Sequence, residues 1–151
     1  MQDSQSLRPY QTIRKPGESE IVISKSRFLG FCIPVDNEAE AQEALAQIKK
    51  RYYDARHCCY AFRLQEGGIA RSSDDGEPSG TAGAPILAVL SGVGVENVLC
   101  AVVRYFGGVL LGTGGLVRAY GKAASEALEA AEIGSIRVCA KGTATVTYPA
   151  Y

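Results

Sequence analysis

Asp74, Asp75 and Glu77 place three carboxylates within four residues, inside the run Ser73-Asp-Asp-Gly-Glu-Pro-Ser-Gly-Thr-Ala-Gly83. Glycine and proline shape the backbone of such a loop, and Ser79 and Thr81 add hydroxyl oxygens beside the acids. Hard divalent cations prefer oxygens of this kind, but the spacing matches no EF-hand ladder, so no metal is assigned. The plainer reading makes Asp74 to Glu77 a solvated turn and lets Ser79 or Thr81 cap the helix that follows.

A second segment runs from an apolar stretch through glycines into a helix: Arg104-Tyr-Phe-Gly-Gly-Val-Leu-Leu-Gly-Thr-Gly-Gly-Leu-Val-Arg118-Ala-Tyr120-Gly-Lys122. Free amides around Gly112, Thr113, Gly114 and Gly115 can hold an anion, because glycine permits close approach and a helix N-terminus carries partial positive charge. Arg104, Arg118 and Lys122 have no acidic neighbour between Glu96 and Glu126, so the segment is locally basic and phosphate is the favoured anion. No Gly-Lys-Ser/Thr follows, which excludes a Walker loop. Val117 also stands where the dinucleotide-binding pattern needs glycine or alanine. Against the anion reading, the glycines can simply let strand and helix pack closely while the cations solubilise the surface.

His57 is the sole histidine and precedes Cys58 and Cys59. Adjacent residues of a strand point to opposite faces, so His57 and Cys58 do not meet, and His57 is read as a hydrogen-bonding group of the site. The five cysteines are odd in number, form no C-x-x-C pair and lie mostly in apolar runs, as reduced buried thiols do.

These residues need elements to position them. Residues 1–17 are polar, contain Pro9 and Pro16, and read as a flexible leader. Ile21 to Ile23 and Phe28 to Val35 read as strands of a hairpin turning at Ser24-Lys25-Ser26. Asn37 caps a helix with Glu40 in capping-box position and Ala41, Ala44, Leu45, Ile48 and Tyr52 as its apolar stripe. His57 to Leu64 and Ile69 to Ser72 form a second strand pair around Gly67-Gly68. A helix is expected from Ala82 to Leu90, stopped by Gly92-Val-Gly94. Val98 to Val103 is a continuous apolar run, expected as the central strand covered on both faces. The last helix is expected from Gly115 to Ala131 with Gly134 closing it, and strand-like residues resume from Ile136 to Tyr148.

The 151 residues suit one ordinary domain, and 46% hydrophobic with 21% charged residues belong to a chain that folds. Sixteen basic residues balance sixteen acidic ones, so the whole molecule has no attractive field, and a nucleic-acid or acidic partner must use a local patch. No apolar stretch approaches ~20 residues, so neither export nor membrane anchoring is expected and the cytoplasm is the natural compartment.

Ser26-Arg27-Phe28, Asp54-Ala55-Arg56-His57 through Tyr60-Ala61, the acidic loop, and Val103-Arg104-Tyr-Phe-Gly-Gly through Gly121 together resemble the Impact family of YigZ-like proteins, N-terminal domain. The resemblance covers residues 18–132 and implies an α/β (α+β two-layer) fold like that of a ribosomal protein and of domain IV of the translocation factor. Residues 133–151 then read as a linker and the start of a truncated ferredoxin-like second domain. In eukaryotic relatives the family domain accompanies another module in regulators of the translation-initiation stress response. The expected function is a binding module linked to translation, contacting RNA phosphates, the ribosome or a translation factor. Arg27, His57, the acidic-loop residues, Tyr105, Tyr120 and the glycine segment are its site. An enzyme acting on a small phosphorylated ligand is one alternative. A protein-interaction domain using Tyr53, Tyr105, Phe106 and Tyr120 as anchors is the other. No cofactor is expected.

Overall fold

The computed structural model describes residues 9–138 and 144–147; residues 1–8 of the expected leader, Cys139 and Tyr148 lie outside them. The centre is a five-stranded sheet in the order β2 (Gly17–Ile23), β3 (Ser26–Pro34), β6 (Val98–Tyr105), β4 (His57–Leu64), β5 (Ile69–Ser73). Every neighbouring pair in it is antiparallel. The central place of β6 follows from its composition, since Val98 to Val103 carry no polar side chain and all are buried.

Successive residues of β6 enter different cores. Leu99, Ala101 and Val103 pack with Ala41, Leu45 and Ile48 of α1 (Glu38–Arg51) on one face. Val98, Cys100 and Val102 pack on the other with Ile86 and Leu90 of α2 (Gly83–Val93) and with Leu116, Tyr120 and Ala124 of α3 (Gly112–Ala130). The fold is therefore mixed α/β, as expected, but helices cover both faces and make three layers rather than two. A strand apolar on both sides demands that cover.

Local signals explain most boundaries. Ser24 and Lys25 both take positive φ, 47° and 68°, the geometry a two-residue hairpin turn requires, and Ile23 pairs with Ser26 across it. The Asn37 side chain accepts from the Glu40 amide at 2.8 Å, while Glu40 Oε1 accepts from the Asp36 amide at 3.0 Å.

Three expectations are corrected. Within the expected leader, Tyr10–Ile13 form β1, which pairs antiparallel with β7 (Ile133–Val138); β8 (Ala144–Thr147) completes a three-stranded sheet. Burial of Thr12 and Ile13 explains why this polar stretch is ordered. Helix α3 begins at Gly112, three residues earlier than its periodicity suggests, because its first turn is glycine-rich and carries no apolar stripe. It ends through Glu132 at φ 58°, not at Gly134, which already belongs to β7.

Candidate functional site

A cavity of about 370 Å³ opens where the acidic loop, the end of β6 and the start of α3 meet. Gly76, Glu77 and Pro78 supply one wall, Gly112 and Thr113 another, so the two segments singled out by composition face each other across it. Arg56, His57, Arg104, Phe106 and the leucines at 110, 111 and 116 complete the lining.

Glu77 is the hub of the polar wall. One carboxylate oxygen accepts from Arg104 Nη1 at 2.7 Å and from the Tyr120 hydroxyl; the other lies 3.4 Å from His57 Nε2. Arg104 is buried and also donates Nε and Nη2 to Ser26 Oγ at 3.4 and 3.3 Å, and its guanidinium lies over Phe28 and Phe106. Arg104 is thus a structural cation, not a surface contact for phosphate: an isolated buried charge is costly, and Glu77 neutralises it. Desolvation, then the neighbouring Cys59 and Glu77, push the Tyr120 hydroxyl far above its ordinary range, so it stays a donor.

Each remaining carboxylate holds a different element. Asp74 Oδ1 accepts from the amides of Ala82 and Gly83 at 3.1 and 2.8 Å, and Oδ2 from Gly80 at 2.9 Å. Desolvation opposes ionisation of Asp74, but the amide bonds from Gly80, Gly83 and Ala82 outweigh it and hold the carboxyl below its usual range. The cap of α2 is consequently Asp74, not Ser79 or Thr81: Ser79 is exposed, and Thr81 Oγ donates to the Pro78 carbonyl at 2.6 Å. Asp75 Oδ2 accepts from the Cys58 amide at 2.7 Å, at the end of β4 where β5 no longer pairs with it, and its carbonyl meets His57 Nδ1 at 2.7 Å. The three acids point apart, and among the described residues no group of His, Cys, Asp and Glu side chains is placed to hold a metal.

The basic wall differs in character. Arg118 and Lys122 are exposed on α3, and among the described residues neither forms an ion pair with a carboxylate, nor does Arg56. The residue at the N-cap of α3 is Leu111, whose side chain carries no hydrogen-bonding group. A Cβ at Gly112 would meet nothing within 4 Å, although its φ of 75° calls for glycine; one at Gly114 would meet the Arg118 guanidinium, with Nη1 at 3.4 Å and Nη2 at 4.0 Å. Packing does explain Gly107, where a Cβ would sit 2.0 Å from the Lys25 carbonyl. Gly115 is intermediate, its Cβ position 3.1 Å from that of Leu111.

Other expected residues fall elsewhere. Arg27 pairs with Glu20 at 3.0 Å and lies over the Tyr105 ring, outside the cavity wall; the Tyr105 hydroxyl donates to Asp54 at 2.9 Å. Tyr120 is fully buried against Phe28 and is no surface anchor, whereas Tyr53 is 85% exposed and Phe106 37%. Sequence reasoning missed Arg56, stacked on Phe106, and Leu110, 86% exposed beside the cavity. A run of three apolar residues, Val109-Leu-Leu111, is too short to show a period, and its place between glycines is the one signal that marks it.

The arrangement defines a mixed α/β domain that presents an amphipathic cavity with a cationic rim. The Impact N-terminal domain family matches residues 24–128, and the chain belongs to it. It is 50% identical over 123 residues to the IMPACT family member YvyE of Bacillus subtilis, covering 81% of this chain and 57% of that protein. Identity to the IMPACT family member YigZ of Escherichia coli is 45% over 109 residues, covering 70% and 53%. A crystal structure described as that of a hypothetical protein is similar with a TM-score of 0.80 and 38% identity, covering 84% of this chain and 63% of that one. The chain thus spans little more than half the length of the curated relatives it matches. No described helix is long and apolar enough to cross a membrane.

Proposed function

We propose that this domain is a binding module linked to translation, engaging a negatively charged component of that machinery through the face formed by the cavity and the start of α3. The observation that carries it is the positive charge there: exposed Arg56 in the cavity wall and exposed Arg118 by the first turn of α3, neither ion-paired with a carboxylate among the described residues. The link to translation rests on the family resemblance. Binding is favoured over turnover because Glu77, Asp74 and Asp75 are committed to Arg104, to α2 and to β4, and His57 is held between Glu77 and the Asp75 carbonyl.

Titrating ribosomes and a short single-stranded RNA against the wild type and Arg118→Ala, at several salt concentrations, tests this. Binding should weaken with salt, with a slope of about 0.7 per phosphate contacted on single strands, and the variant should bind more weakly and with a shallower slope. Equal binding and equal salt dependence in both proteins would remove this face from the contact.

A further inference from the structure

We infer that the cavity itself receives an apolar side chain from an acidic segment of a partner protein, with the carboxylates of that segment resting on Arg118, Arg56 and the first turn of α3. This rests on the reading that the face is the binding site, and it names the occupant.

The cavity's shape and lining favour such a side chain over a nucleobase. The side chains of Glu77, Arg104 and His57 are satisfied by one another and by Ser26, Tyr120 and the Asp75 carbonyl, while the wall's remaining polar parts, Arg56 and the first turn of α3, are donors that suit a carboxylate better than the mixed donor and acceptor edge of a base. Around these groups the open surface is apolar: Leu110 at 86% exposure and Phe106 at 37% line the cavity, and Val109, 41% exposed, adjoins Leu110 in the chain. Exposed apolar side chains grouped around a cavity mark a contact surface, and such contacts centre on an anchor that fills a pocket. About 370 Å³ accommodates one large side chain with room for the backbone that carries it.

Charge fixes the rest of the partner's chemistry. The acid in the cavity wall, Glu77, is buried and neutralised by Arg104, so it repels nothing outside, while the rim cations have no carboxylate partner among the described residues. A segment with Asp or Glu next to its apolar residue complements both features, and like charges there would be rejected.

Selection of a 12-residue random peptide library on the immobilised domain, followed by fluorescence-anisotropy titration of the enriched peptides, provides the test. The enriched consensus should place a large aliphatic or aromatic residue beside Asp or Glu. Leu110→Ser and Arg118→Glu should each weaken the selected peptides about tenfold or more. Both side chains are exposed, so unchanged thermal melting would show that neither variant misfolds. Selection of no peptide, or of peptides that both variants bind unchanged, overturns the inference. A labelled oligouridylate titrated in parallel separates the two readings. RNA binding that needs Arg118, with no peptide selected, would keep the face and remove the protein segment. Loss of neither RNA nor peptide binding in Arg118→Glu would remove both.

Discussion

At the scale of single residues, Arg104 shows where sequence reasoning reaches its limit. Its place after an apolar run and before glycines is equally compatible with a surface cation and a buried one; only the partner, Glu77, 27 residues earlier, decides. Two residues flagged for separate reasons, one acidic and one basic, proved to be halves of a single buried pair. Because removing one member strands the other, Glu77→Gln should cost about 3–5 kcal/mol in urea unfolding. Tyr120→Phe, which removes only one donor from Glu77, should cost about 1 kcal/mol, and equal losses in the two variants would contradict the hub role of the carboxylate. The thiols follow the same logic of burial. Desolvation pushes Cys58 up to about 11 and Cys59 higher still, so a thiol reagent near neutral pH should label the folded protein far more slowly than the unfolded one. Rapid labelling of native Cys58 would contradict its burial.

At the scale of elements, periodicity located α1, β4 and β6 closely, because apolar spacing and capping are local properties. It could not locate the cap of α2, since Asp74 lies eight residues before Ala82 and only the folded loop brings them together. Losing that carboxylate in Asp74→Ala should cost about 1–2 kcal/mol. The pH dependence has a definite sign. A carboxyl held below its unfolded value of about 3.9 contributes stability that is fully present above that pH and is lost as pH falls through the lower folded value. Urea midpoints measured from pH 6 down to pH 3 should therefore converge for wild type and Asp74→Ala; a constant gap would mean that the charge of Asp74 is not what holds α2. The glycines separate in the same way. Gly107→Ala drives a methyl into the Lys25 carbonyl and should destabilise the fold. Gly114→Ala meets only the movable end of Arg118, and its thermal midpoint should stay near that of the wild type.

At the scale of the molecule, the mixed α/β class and the central strand were legible in the pattern of apolar runs, but the second sheet was not. Its strand β1 lies in a stretch whose prolines and polar residues suggest a leader, and its partner β7 is more than a hundred residues away. Tyr10 hydroxyl accepts from Asn97, the Gln11 carbonyl accepts from the Glu96 amide, and Ile13 enters the main core, so β1 is stitched to the central sheet as well. Ile13→Ala should accordingly cost about 2–4 kcal/mol, a core penalty rather than the near-zero effect expected of a leader. The acidic loop carries the broader consequence. Asp74 fastens it to α2, Asp75 to β4, and Glu77 to β6 and α3, so four elements are joined through the nine residues 74–82, which contain no regular structure. Such a segment cannot open alone. In a hydrogen-exchange experiment, the amides of Cys58, Gly80, Ala82 and Gly83, whose acceptors are these side chains rather than a ladder, should exchange only when the sheet itself opens. Their protection would place a stretch that looks like surface among the last parts of the protein to come apart.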